Sequence, residues 1–409
     1  MKRYALVGTG GRGIHAYGRA IVQRHADTAT LVGLYDRNPL RARYASHECG
    51  DAPVYDDFDI MLQQARPEVL IVTCVDRYHH EYIVRALEAG CDVITEKPMT
   101  IDADKVRAIL EAERRTGRKV TVTFNVRHMP YVTRIKEILR SGVIGRILSA
   151  DMEWLLDRSH GASYFRRWHR MLGNSGGLLV HKATHHFDMV NWLIEAEPKT
   201  VYANGALRVY GSAGPYHGER CSSCAHTHEC PFYWDAAAVP NAKRLYLDNE
   251  AADGYHIDGC VFDPEIDIYD TMSVAVRYTN GILLSYSLNA HRPWEGWQLA
   301  LNGEAGRLEV GEFYSGHAAQ DPNQHVTLYN IKGEKIVYDI PKAAGGHGGA
   351  DDRLTERLFG ERELPDPLGL MAGSWAGAMS VLIGAAANRS IATGEPVDID
   401  ALLGEFARR

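Results

Sequence analysis

The chain has 409 residues, more than one hydrophobic core usually serves, so two domains are expected. A formal charge of −7 without a basic block argues against a broad nucleic-acid or anionic-membrane partner. No apolar run reaches the roughly 18 residues of a membrane-spanning helix.

The opening Met1-Lys2-Arg3 is followed only by Ala5-Leu6-Val7 before Gly8, too short for the core of a signal peptide, so a cytoplasmic location is expected. Tyr4 to Val7 reads as a first strand, followed by a helix to about Arg24 and a second strand from Thr30 to Tyr35. Val69 to Thr73, Asp92 to Thr95 and Val120 to Phe124 read as further strands, with helices at Tyr78–Ala89 and Asp102–Thr116. Strands alternating with helices imply a doubly wound parallel sheet over residues 1–124.

Between the first strand and its helix stands Gly8-Thr9-Gly10-Gly11-Arg12-Gly13, a G-x-G-x-x-G run. In that context it reads as a dinucleotide fingerprint, whose glycines let the backbone approach a pyrophosphate at a helix N-terminus. Asp36 ends the second strand, where a carboxylate would accept from an adenosine ribose, and it repels a 2′-phosphate. That favours NAD, while the neighbouring Arg37 leaves NADP open.

From residue 125 to 409 the pattern changes to an α+β domain with a large, mostly antiparallel sheet. A helix at Tyr131–Leu139 leads into a strand at Arg146–Leu156, and Gly176–Ile194 reads as one helix. Asn280-Gly281, Asn302-Gly303-Glu304 and Lys332-Gly333-Glu334 mark hairpins between apolar runs. The sheet they build offers a face for a homo-oligomer. Ala343 to Gly349 reads as a flexible loop, and Leu368–Ala387 as an apolar helix packed on the body.

Residues 211–260 form a polar, turn-rich segment that holds Cys221, Cys224, Cys230 and Cys260. The C-x-x-C knuckle and the two later thiols are expected to hold one structural zinc, which would order a segment poor in periodic apolar residues. His226 and His228 are substitute ligands, and an iron–sulfur cluster or free thiols are the other readings.

Ala89-Gly90-Cys91-Asp92-Val93-Ile94-Thr95-Glu96-Lys97-Pro98, then Gly176-Gly177 through His181, His185 and Asp188, then Ala385-Ala386-Asn388-Arg389-Ser390 resemble the Gfo/Idh/MocA oxidoreductases almost end to end. The resemblance implies cofactor contacts at Glu96, Lys97 and His79, proton transfer by His185, and a sugar, sugar derivative or cyclitol as substrate. It treats residues 211–260 as an insertion. This chain departs from the pattern at His181, where the family has Asp, and at Cys74-Val75-Asp76, where it often has Thr-Pro-Asn.

Chemically, oxidation of a carbinol needs a base and a group that stabilises charge on oxygen. Lys97, just beyond a parallel strand, suits the second task, and His185 suits the first by its ordinary pKa of about 6.5. His181, four residues earlier, would contact substrate or relay the proton, and the H-x-x-x-H spacing also permits a metal. Tyr164 with Arg166-Arg167-Trp168-His169-Arg170 suits a polyhydroxylated ligand, and Asn125 and Arg127 are expected near the nicotinamide end. Two other functions remain open from the resemblance. One is glycoside cleavage through transient oxidation and elimination by tightly held NAD, and the other is a non-catalytic nucleotide-sensing regulator.

Overall fold

A computed structural model describes residues 1–407. Its first sheet is built from β1 (Lys2–Val7), β2 (Ala29–Tyr35), β3 (Val69–Val72), β4 (Asp92–Thr95) and β5 (Val120–Val122), all parallel. Strand order is β5-β4-β3-β1-β2, with the chain crossing from one side of β1 to the other, so the sheet is doubly wound as expected. The reason is visible in β3, where Val69-Leu70-Ile71-Val72 are all buried, as strands covered on both faces must be. Helix Ala103–Thr116 covers one face. Asp102 caps its start by accepting from the Lys105 N–H at 3.0 Å, and Gly117 ends it at φ +66°.

The second sheet contains β6 (Ile147–Asp157), β7 (Pro198–Ala206), β8 (Thr271–Tyr278), β9 (Leu283–Arg292), β10 (Gly296–Gly303), β11 (Gly306–Phe313), β12 (Asn323–Asn330) and β13 (Lys335–Pro341). All neighbours pair antiparallel except β6 and β9, which run parallel. The hairpins expected at Gly281, Gly303 and Lys332–Glu334 join β8 to β9, β10 to β11, and β12 to β13. Burial alternates strictly along β8, which places one face on the core and one in solvent. The open face carries Leu148, Tyr202 and Leu283 among polar residues.

Two short strands tie the end of the chain back to the body: β14 (Ala372–Gly373) joins β5, and β15 (Val397–Asp398) joins β7. Between them lies the apolar helix, which begins at Ser374 and runs to Thr393 rather than starting at Leu368. Leu370 and Met371 are held back by their N–H groups, which donate to the Asp366 carboxylate. Among the described residues no helix is long and apolar enough to cross a membrane.

The segment expected to hold a metal has ion pairs and a small core of its own. Arg220 pairs with Glu250 and Asp258, and Ala236, Ala242 and Ile257 make a small core of their own. Helix Pro240–Leu245 then sets Leu245 into the apolar cluster that includes Ile14 and Tyr17 of the nucleotide fold.

Candidate active site

One cavity of about 1280 Å³ opens between the carboxyl ends of β1, β3 and β4 and Trp154, Glu312 and Gln324 of the second sheet. Gly8, Gly10, Gly11 and Arg12 line its mouth. Gly8 has φ +86°, and a Cβ there would sit 2.4 Å from the Cys74 nitrogen, so no other residue fits. A Cβ on Gly13 would meet the Gly8 carbonyl oxygen at 2.5 Å, which fixes the close helix–strand approach. Asp36 accepts from the Thr9 N–H at 2.7 Å and from the Asn38 N–H at 2.8 Å, and Arg41 bridges it to Asp253 of the insertion. Arg37 is exposed and lies 5.0 Å from the Tyr78 ring.

Glu96 is buried and does not project freely. It accepts from Arg12 Nε at 2.6 Å, from the Tyr17 hydroxyl at 2.5 Å and from the Lys97 N–H at 3.1 Å. Burial works against its charge, but Arg12 and Lys97 keep its carboxyl below the ordinary value. Arg12 also holds Asp351, from helix Ala350–Phe359, through paired contacts of 3.1 Å. Asn125 Nδ2 donates to the same carboxylate at 2.9 Å, while its Oδ1 is buried without a partner. Burial opposes the charge of Asp351, yet His347 and Arg12 hold its carboxyl well below the usual range. Asp351 therefore ties fingerprint, β5 exit and the glycine-rich loop together, a role no local pattern announces.

His79 lines the cavity, but both its ring nitrogens already meet carbonyl oxygens, Pro98 at 2.9 Å and Cys74 at 3.0 Å. It braces the Lys97–Pro98 turn, whose peptide is cis.

Deeper in, Lys97 Nζ donates to the His181 carbonyl at 3.3 Å, and His181 Nδ1 meets Asp76 Oδ2 at 2.5 Å. Burial pushes the Asp76 carboxyl up to about 8, although His79 and Lys97 pull the other way. Burial, with Lys97 and Lys182 nearby, lowers His181 well below its ordinary value. The short contact thus holds one proton between carboxyl and imidazole. Burial also lowers the Lys97 ammonium, against the pull of Glu96 and Asp76. His185 lines the same space, its Nδ1 buried without a partner, and burial with Lys97 lowers its pKa strongly. It enters as a neutral imidazole.

The stretch expected to be one helix is broken between these histidines. Leu178–His181 and Thr184–Ile194 are separate helices, because the Ala183 N–H reaches the Leu178 carbonyl and widens the turn. Both histidines face the cavity across that break, rather than by simple helical spacing. Arg127, expected near the nicotinamide end, instead forms a buried ion pair with Asp188 at 2.5 and 2.7 Å and also donates to the Gly369 carbonyl. Arg127 does not line the cavity. The aromatic–basic cluster divides likewise. Tyr164, Arg167, Trp168 and His169 line the cavity, whereas Arg166 points to Cys221 and the Phe232 carbonyl and Arg170 pairs with Asp263.

The four insertion cysteines do converge, around a separate space of about 20 Å³. All are unpaired thiols. Among the described residues, however, no group of three or more His, Cys, Asp or Glu is arranged to hold a metal, either here or at His181 and His185. The zinc and iron–sulfur expectations are therefore unsupported. The sulfurs face other donors: Arg166 Nη1 lies 2.9 Å from Cys221 Sγ, and the His226 and Phe262 N–H groups donate to Cys224 and Cys260. A guanidinium against the cluster is itself a cation and opposes a second one.

Family models match both halves. Residues 2–124 match the oxidoreductase family's NAD-binding Rossmann fold, and residues 136–399 match its C-terminal alpha/beta domain. The chain belongs to the Gfo/Idh/MocA oxidoreductase family. It is 37% identical over 426 residues to a Bacillus subtilis (strain 168) protein named as an oxidoreductase, YteT, covering 98% of this chain and 99% of that one. It is 30% identical over 207 residues to the inositol 2-dehydrogenase of Rubrobacter xylanophilus, covering 49% of this chain and 54% of that one. In fold it is similar to the WlbA dehydrogenase of Bordetella pertussis, solved with NADH and UDP-GlcNAcA. The TM-score is 0.67 at 19% identity, over 97% of this chain and 98% of that one.

The residues at the mouth fit a dinucleotide. A Cβ at Gly8 or Gly13 would strike backbone, which keeps the turn tight where a backbone cradle is needed, and Asn125 Oδ1 is buried without a partner. Besides Asp351, the reading of the sequence missed Asp76, Lys182 and the His160–Glu295 pair. Only Asp76 had a usable signal, since it follows β3 at the carboxyl end where open α/β sheets bind ligands.

Proposed function

We propose that this oxidoreductase oxidises a hydroxyl-bearing ring carbon of a sugar, sugar derivative or cyclitol, with NAD as the favoured acceptor. NAD held by Gly8, Gly10, Gly11, Gly13, Asp36 and Asn125 would take up the hydride. The observation that carries the reading is the meeting of Lys97, the Asp76–His181 pair and His185 in the cavity that the fingerprint turn opens into.

Lys97 donates to the substrate oxygen and stabilises charge as the hydroxyl proton leaves. His185, kept neutral by burial, has a lone pair ready to accept that proton at neutral pH. The Asp76–His181 pair holds the backbone carbonyl that fixes the Lys97 ammonium, and movement of its shared proton leaves the net charge of the pair unchanged. Trp168, stacked on His169 at 3.7 Å, and Arg167 supply a flat surface and donors for a polyol. The relative named as an inositol 2-dehydrogenase supports the substrate class. The test is aerobic and anaerobic incubation with NAD and a panel of sugars, sugar acids and cyclitols. Reduced nicotinamide should appear with at least one ring polyol, and a silent panel at saturating NAD would overturn the reading.

A further inference from the structure

A second cavity, of about 370 Å³, lies between helix Arg158–Arg166 and residues 231–234 of the insertion. That volume falls within the roughly 300–1,000 Å³ of small-molecule sites. Three guanidinium groups line it, from Arg158, Arg166 and Arg167, and no carboxylate does. Among the described residues none of the three is ion-paired. Arg158 Nη2 donates to the Pro231 carbonyl, and Arg166 donates to the Phe232 carbonyl at 2.7 Å and lies 2.9 Å from Cys221 Sγ. Arg167 Nε is buried with no partner. The acids that flank these segments in sequence are committed to turns: Asp157 accepts from the His160 N–H at 2.8 Å and Asp235 from the Ala237 N–H at 3.0 Å.

Three cations around one space repel one another, and the fork of a guanidinium matches the paired oxygens of a carboxylate or phosphate. Elsewhere in this chain the match is made internally: Arg12, Arg41, Arg127 and Arg220 each hold one or two carboxylates. What the side pocket lacks is an anion. Its aromatic wall adds a second requirement. The Arg158 and Arg166 guanidinium groups lie 4.5 Å from the Phe232 ring and 5.4 Å from the Trp234 ring, while Tyr233 is exposed and Trp234 half-buried. A guanidinium over a ring keeps its N–H edge for an acceptor, and open aromatic faces suit the apolar face of a sugar. Arg167 belongs to both spaces, since it also lines the main cavity. A ligand that reaches from one into the other passes this side chain.

Resting on the proposed function, we propose that the side pocket is a subsite for an oxyanion, carboxylate or phosphate, carried by a group attached to the ring that is oxidised. The ring lies against Lys97 and His185, and Arg167 spans the passage to the attached group. Arg158 and Arg167 clamp its oxyanion, and Tyr233 and Trp234 cover its apolar face. The substrates narrow from ring polyols at large to acidic ones, such as a disaccharide bearing a uronic acid or a phosphate ester of the ring. Because residues 231–234 come from the insertion, the subsite belongs to that segment and not to the two-sheet fold.

The test is calorimetry on the full chain saturated with NADH, which cannot accept hydride and so leaves every probe unreacted. Cellobiouronic acid is titrated against cellobiose to read a carboxylate, and glucose 1-phosphate against methyl glucopyranoside to read a phosphate. At least one acid should bind about tenfold or more tightly than its neutral partner, the scale of one charge-assisted hydrogen bond. The pair that shows the gap names the oxyanion. Arg158→Ala should close the gap to within about threefold and leave the neutral probe's Kd within about threefold, while Arg158→Lys, which keeps the charge and loses the fork, should restore only part of the gap. No gap in either pair, absent binding included, would overturn the subsite and leave the dehydrogenase reading to its own panel. A gap that survives Arg158→Ala, or inorganic phosphate binding as tightly as the better acid, would also overturn it. An acid that binds with the expected gap yet yields no reduced nicotinamide from NAD would support the subsite and count against the reaction.

Discussion

The hydroxyl of Tyr246 accepts a hydrogen bond from the Gly11 N–H at 3.3 Å, across 235 residues of chain. This places the insertion directly on the dinucleotide fingerprint. The contact is reinforced on both sides: Arg41 links Asp36 to Asp253, and Asn38 Nδ2 donates to the Asn249 carbonyl at 2.9 Å. The backbone N–H groups of such a turn are the donors a pyrophosphate needs. Tyr246, Asp253 and Tyr255 line the same cavity as Gly10 and Gly11, so a dinucleotide held there would lie against the insertion. Tyr246→Ala is therefore expected to raise the dissociation rate of NADH about fivefold or more in stopped-flow fluorescence, the scale of one hydrogen bond. An unchanged rate would mean that the insertion packs on the fold without guarding the cofactor.

Lys97 and His185 line the cavity, and Lys97 hydrogen-bonds to Glu96 and the His181 carbonyl rather than to the fingerprint turn. Lys97→Ala and His185→Ala should each lower kcat/KM about 10²-fold or more. NAD affinity, measured by calorimetry, should shift by less than about threefold, because neither removes a fingerprint contact. Wild-type turnover in either variant would remove that residue from the mechanism.

The adenosine end makes a separate claim. Asp36 is fixed by Thr9, Asn38 and Arg41, whereas Arg37 lies over Tyr78 in the open. NAD should bind more tightly than NADP, and Asp36→Ala should narrow the difference. Tighter binding of NADP to the wild type would assign the adenosine pocket to Arg37.

The Asp76 carboxyl also links stability to pH. Its folded pKa of about 8 exceeds the ordinary value of about 3.9, so the folded state binds more protons in between. Its contribution is full below the ordinary value and is lost as pH rises through about 8. His181, lowered on folding, adds the opposite slope only below its ordinary value of about 6.5, and does so with or without Asp76. The stability of the wild type minus that of Asp76→Asn should therefore fall between pH 6.5 and 8, by at most about 1.4 kcal/mol per pH unit. Urea midpoints of the cofactor-free proteins read this directly. A flat or rising difference would place Asp76 among ordinary ionised carboxylates.

Much of this architecture was legible because local patterns carry it. The all-apolar β3, the turn before the fingerprint helix and the glycine hairpins each follow from a few adjacent residues. What stayed hidden depends on contacts between distant segments. Asp351 meets Arg12 across 339 residues, and Glu295 meets His160 across 135. No periodicity reports such pairs. The H-x-x-x-H spacing misled in a different way, because widening of the turn at Ala183 replaced simple helical stacking. The cysteine spacing was real as proximity, but among the described residues the thiols are not arranged as a group that would hold a metal.

The central claim is that hydride passes from a ring carbinol to the nicotinamide in the cavity bounded by Lys97 and His185. The direct measurement is transfer of label: a ring polyol that yields NADH, deuterated at its carbinol carbons, is incubated with NAD and the nicotinamide is analysed by mass spectrometry. The account predicts one deuterium per reduced nicotinamide with the wild type, and about 10²-fold slower labelling with Lys97→Ala. Consumption of the polyol without deuterium in the nicotinamide would contradict it.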